Sequence, residues 1–171
     1  MKLRKGFTIV ELLMVITVIA VLLGIVTTAA TASIRAARQR RAQAMRSIVQ
    51  GGLDVYHRQK DEWPGAIESL ASNGTSRDLT TEEYDSVMQE LLRQSTGTEG
   101  KNPVMDPTGL MVMRAGSPNG KTTGVDYRTA VTETKTMTVK QMTVVYPISD
   151  TGKATRFTIH YNAASDSASV R

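Results

Sequence analysis

Phe7 to Ala32 constrains this chain more than any other stretch. It reads FTIVELLMVITVIAVLLGIVTTAATA, and Glu11 is its only ionisable residue. Its 26 residues, if helical, rise about 39 Å at about 1.5 Å each. A bilayer core needs about 20 apolar residues, so the run is long enough to cross one. A soluble core helix of this length would carry a polar face, and this run has none. The short basic head MKLRKG stands before it.

A carboxylate inside hydrocarbon costs several kcal/mol unless it finds a partner. Glu11 can lie near the membrane surface and snorkel out, or its neighbours can give it a specific role. Those neighbours, K-G-F-T-I-V-E-L-L over Lys5–Leu13, resemble the processing site of type IV prepilins and type II secretion pseudopilins. The resemblance extends to Ala32. It implies that a membrane prepilin peptidase cuts between Gly6 and Phe7 and N-methylates Phe7. It also implies that Glu11 pairs with the amino terminus of an adjacent subunit. Thr28 departs from the pattern, because many relatives have proline there. The implied organisation is a leader at 1–6, a transmembrane and filament-core helix at 7–32, and a globular domain at 33–171. The implied partners are identical or related pilin subunits, the peptidase, an assembly ATPase and a platform membrane protein. The implied location is the bacterial inner membrane with the domain in the periplasm, followed by a surface or periplasmic filament.

Composition narrows the rest. The chain has 171 residues and no cysteine, which excludes disulfides, thiol catalysis and thiolate metal sites. It departs in this from the many type IV pilins that close a carboxy-terminal loop with a disulfide. The formal charge is +5, and Lys2, Arg4 and Lys5 supply three of the 21 basic residues. Without them 18 basic residues face 16 acidic ones, about +2. The basic balance is therefore partly a targeting device. Five arginines, Arg35, Arg38, Arg40, Arg41 and Arg46, follow the apolar run, so charge alone sets no clean orientation. With little aromatic interleaving they make a poor nucleic-acid surface. They read as a solvated face or a subunit contact.

The fold class expected is α+β. One long helix from about Phe7 to Lys60 has an apolar first half and an amphipathic second half, with Ile34, Ala37, Met45, Ile48, Gly52, Val55 and Tyr56 on one stripe. Gly51-Gly52 offers a place for a strand to approach. Trp63-Pro64 stops the helix; Tyr56, Trp63-Pro64, Ile67 and Leu70 resemble the segment after the long helix in major pseudopilins, which implies a short apolar turn there. Ser72 to Asp78 reads as loop. Thr80-x-x-Glu83 is a capping box opening a second helix over about Thr81–Gln94. Strands are expected at Leu110–Arg114, across Val125, Tyr127 and Val131, at Thr136–Tyr146 with a bulge near Lys140-Gln141, and around Phe157, Ile159 and Tyr161. Asp150-Thr151-Gly152 reads as a hairpin turn. Together they suggest an antiparallel meander of three or four strands under the outer half of the long helix.

No catalytic constellation is legible, and the chain is not expected to be an enzyme. His57 and His160, without cysteine, make a poor zinc set. No phosphate-binding glycine loop or nucleophile elbow is present. No cofactor is identified from the residues. The family resemblance implies a carboxy-terminal calcium loop, where Asp150 and Asp166 would offer oxygen ligands; otherwise they are a turn and a tail aspartate. The best reading is a structural filament subunit. Two alternatives stay open. Ala30-x-Ala32 fits a signal-peptidase site that would release a soluble domain from Ser33, and an uncleaved chain would be a single-pass anchored binding domain.

Overall fold

The computed structural model describes residues 8–96, 104–133, 138, 141–148 and 153–171. The arrangement is α+β: one long amino-terminal helix, short helices and antiparallel sheets. The chain forms two compact units, Met1–Gln39 and Arg40–Arg171. Helix α1 runs 52 residues, Ile9–Lys60.

The first unit contains α1 residues 9–39. Every large apolar side chain from Ile9 to Val26 is exposed; the least so, Val15, is 47% exposed.

In the second unit α1 buries Met45, Val49, Leu53 and Tyr56, one side of a helix at spacings of three and four. The buried stripe begins later than its sequence pattern suggests, since Ile34 and Ala37 are exposed. They continue the apolar run of 7–32, and an arginine-filled gap separates them from Met45. Gly52 does admit a close approach, but not by a strand. A Cβ there would sit 3.0 Å from Met105 Cβ, while one on Gly51 would meet nothing within 4 Å. The helix ends where Asp61 turns left-handed at φ 55 and donates its amide to His57 O at 2.8 Å.

Helix α2 (Gly65–Ser72) buries Ile67 and Leu70, where only an apolar turn is expected. Strand β1 (Arg77–Asp78) falls in a stretch that reads as loop. Helix α3 (Thr81–Thr96) buries Tyr84, Val87, Met88, Leu91 and Leu92. Its capping box is formed. Thr80 N donates to Glu83 Oε2 at 2.8 Å, and Glu83 N donates to Thr80 Oγ1 at 3.3 Å. Arg77 also grips Glu83 with two hydrogen bonds, at 2.8 and 2.6 Å. Glu90 of α3 accepts from the Tyr56 hydroxyl and from Gly65 N, joining three helices at one carboxylate.

The Arg77 guanidinium, with help from the Thr80 amide, lowers the Glu83 pKa to about 2. An unfolded glutamate titrates near 4.3. The stability Glu83 supplies is therefore complete above pH 4.5 or so and fades as pH falls towards 2. Glu83→Gln is expected to destabilise by about 1 kcal/mol at pH 7, with the difference shrinking towards pH 2. Thermal unfolding followed by Trp63 fluorescence checks this. A difference that stays constant with pH would count against it.

The strands form two antiparallel sheets rather than one meander. The first has order β1-β6-β7, with β6 at Ile159–Asn162 and β7 at Ser167–Val170. The second has order β3-β2-β4-β5, with β2 at Met111–Arg114, β3 at Val125–Asp126, β4 at Met142–Pro147 and β5 at Ala154–Thr155. Strand β2 lies between β3 and β4, pairing Met111 with both Asp126 and Val145. The strand expected through Val131 ends at Asp126, and Thr129–Glu133 is a turn of π-helix. The fully buried residue there is Ala130, on the opposite parity from Val125, Tyr127 and Val131. Strand β4 is buried on both faces from Met142 to Val145; α3 meets it, with the Tyr84 hydroxyl donating to Val144 O at 2.8 Å. Most of the expected bulge region lies outside the described residues, as does Asp150–Gly152. The flanking residues do pair, Tyr146 with Thr155 and Pro147 with Ala154.

Arg156 follows β5 and is buried. Its guanidinium donates twice to Asp85 of α3, at 2.5 and 2.8 Å. It also donates to Ser117 O at 2.9 Å and Asn119 Oδ1 at 2.7 Å. Asp85 takes a further bond from Gly116 N at 2.7 Å. One ion pair thus ties α3 to the loop after β2 and to the chain leaving β5.

Candidate assembly site on the apolar helix

Gly6 and Phe7 lie outside the described residues. Glu11 is described, and it has a local partner. Thr8 N and Thr8 Oγ1 both donate to Glu11 Oε2 at 2.9 Å, and Glu11 N donates to Thr8 Oγ1 at 3.3 Å. This is a second capping box, Thr8-x-x-Glu11, the same signature as Thr80-x-x-Glu83. It gives the carboxylate a partner within its own helix.

Below Glu11 runs a stripe of Met14, Val15, Val18 and Ile19, at the three- and four-residue spacing of one helix face. With Glu11 they line a shallow apolar groove of about 380 Å³. Two threonines in this run, Thr17 and Thr27, turn inward to their own backbone. Thr17 Oγ1 donates to Met14 O at 2.8 Å and Thr27 Oγ1 to Leu23 O at 2.6 Å. Neither hydroxyl needs a partner from lipid. The helix is long and apolar enough to cross a membrane. Soluble monomers rarely expose contiguous apolar surface on this scale.

Residues 1–27 match the family model for the prokaryotic N-terminal methylation motif. The chain carries a prepilin-like amino terminus. The match takes in Gly6, Phe7 and Glu11. It supports a type IV pilin-like substrate of prepilin peptidase, held in the inner membrane as a precursor by α1. No curated protein and no solved structure matches the chain.

The carboxy-terminal aspartates separate. Asp150 lies outside the described residues. Asp166 stands in the turn between β6 and β7, left-handed at φ 43. Its Oδ1 accepts from Trp63 Nε1 and from the Tyr161 hydroxyl, each at 2.8 Å. Those two donors hold the Asp166 carboxyl below its usual range. Burial, and then the bond to Asp166, raises the Tyr161 hydroxyl to about 12. His57 stacks on Trp63, with ring centroids 4.1 Å apart. Asp166, in the β6–β7 turn, thus pins Trp63, just past the end of α1, to that strand pair. Among the described residues no three His, Asp or Glu side chains gather to hold a metal. Sequence reasoning had reason to notice Thr8, through its T-x-x-E spacing. Trp63 and Asp166 are 103 positions apart, and no local pattern marks that contact.

Proposed function

We propose that the chain is a structural subunit of a type IV pilus-like or type II secretion pseudopilus filament, with no catalytic role of its own. The observation that carries this reading is the first part of α1: an apolar run, Ile9 to Val26, whose large side chains are all exposed, headed by one carboxylate, within a prepilin-like amino terminus. The precursor rests in the bilayer with its second unit in the periplasm. Assembly moves α1 from lipid into a bundle of like helices, so its apolar surface never meets water. A contact between copies that does not close on itself propagates as a filament. The chain has no nucleotide-binding motif, so the work comes from an assembly ATPase acting through a platform protein.

Maturation tests the reading. Protein from the native host is expected to begin at Phe7, read by intact mass and amino-terminal sequencing. A start at Ser33 or Met1 would instead identify a secreted or an uncleaved anchored domain. Gly6→Val is expected to leave essentially all the protein as full-length membrane precursor, because the peptidase must seat a residue with almost no side chain. Normal maturation of that variant would remove the processing claim.

A further inference from the structure

We infer that Gln50 and Arg46 of α1 act as a surrogate strand along the free edge of β7, and so keep two copies of the chain from pairing edge to edge. The sheet order places β7 at an edge. Ser167 and Ser169 face Asn162 and His160 of β6 in register, and Arg171 exchanges both backbone bonds with Thr158, at 3.1 and 2.7 Å. In an antiparallel ladder the backbone groups of alternate residues point to opposite sides. Those of Ala168 and Val170 therefore point away from β6, where an open edge recruits another strand.

That side is occupied. Val170 N donates to Gln50 Oε1 at 2.8 Å, and Gln50 Nε2 donates to Ala168 O at 2.9 Å. One side-chain amide thus serves a carbonyl and the amide two residues on, as a residue of an added parallel strand would. The second Nε2 hydrogen goes to Asp54 Oδ1 at 2.9 Å, which fixes the amide's orientation. Arg46 Nε donates to Val170 O at 2.6 Å. The Ala168 and Val170 side chains are buried, so losing these bonds would expose the edge backbone without removing its apolar footing. The exposed edge would suit β7 of a second copy. An antiparallel pair centred on Ser169 would exchange the bonds of Ala168 and Val170, with the two Ser169 Cα atoms about 4.5 Å apart. The inference does not depend on the filament reading; it concerns which surfaces of the chain are closed to self-association.

The chain has no cysteine, so one can be placed at will. Full-length protein in native membranes, carrying Ser169→Cys, is oxidised with copper–phenanthroline with and without Arg46→Met/Gln50→Ala. The disulfide-linked dimer is expected to rise about tenfold when the two latch residues are lost, the factor that corresponds to roughly one hydrogen bond's net worth. Ser69→Cys, on the exposed face of α2, is the control and is expected not to change. No rise at residue 169 with unchanged Trp63 fluorescence, or an equal rise at both cysteines, overturns the inference. If the double variant unfolds, Gln50→Leu keeps the bulk and removes only the amide. The Val170 amide of that variant is then expected to exchange about tenfold faster with solvent. Unchanged exchange overturns the inference as well.

Discussion

Arg156→Met is expected to destabilise the second unit by about 3–5 kcal/mol, the largest effect of any single substitution foreseen for its fold. The side chains of Arg156 and Asp85 are 4% and 8% exposed. Removing the guanidinium strands a buried carboxylate that, among the described residues, keeps only the Gly116 amide; Ser117 O loses its guanidinium donor, and Asn119 Oδ1 keeps just the long backbone bond from residue 156, at 3.4 Å. Most of the effect comes from the orphaned charge, not from the lost attraction. Arg156→Met/Asp85→Leu is therefore expected to recover most of the lost stability. Denaturant unfolding of the wild type, both single variants and the double variant forms the cycle. If the double variant is as unstable as the sum of the singles, the pair is uncoupled and this account of it is wrong.

Glu11→Leu is expected to abolish filaments while leaving the membrane pool intact. This prediction rests on the filament reading. After cleavage Phe7 carries a new amino group, charged even when N-methylated, four positions before Glu11 in the sequence. Within the subunit Glu11 is held by Thr8, a capping box whose loss costs about 1 kcal/mol. Folding and insertion should therefore survive the change. Within a helix bundle, a carboxylate out of register with a neighbour's amino group leaves both charges unmatched in a low-dielectric setting. The pair acts as a register mark more than as a source of net energy, because desolvation offsets much of the attraction. Glu11→Asp, shorter by a methylene, is expected to give an intermediate yield. The measurement is sheared-filament yield against membrane-pool yield. Wild-type assembly of Glu11→Leu would return Glu11 to a merely local role.

The sequence was most legible where one local rule decided the outcome. The end of α1 follows from Trp63-Pro64, and the start of α3 from Thr80 and Glu83. The apolar spacing of Tyr84, Val87, Met88, Leu91 and Leu92 marked the buried face of α3. Local rules failed where the elements are too short to show a period. Helix α2 offers only Ile67 and Leu70, and β1 and β3 are two residues each, set by their partners and not by propensity. Arg156 shows a related limit. Its alternation with Phe157 resembles a strand, yet residues 156–158 lie between β5 and β6, where a period of two carries no meaning. Its partner Asp85 is 71 positions away. At the candidate site the exposed helix and Glu11 are legible, while the T-x-x-E spacing of Thr8 is hidden inside an apolar run.

The back-bonded hydroxyls of Thr17 and Thr27 bear on whether a filament built from such helices can be taken apart. In lipid there is no hydrophobic drive between apolar helices; packing and interhelical hydrogen bonds decide their association. Because α1 satisfies these hydroxyls internally, they contribute nothing to hold it in either setting. On the filament reading, side-chain packing and the surroundings of Glu11 then weigh more than these two hydroxyls in the difference between bilayer and bundle. On that reading, such a balance favours reversible transfer of the helix between bilayer and bundle.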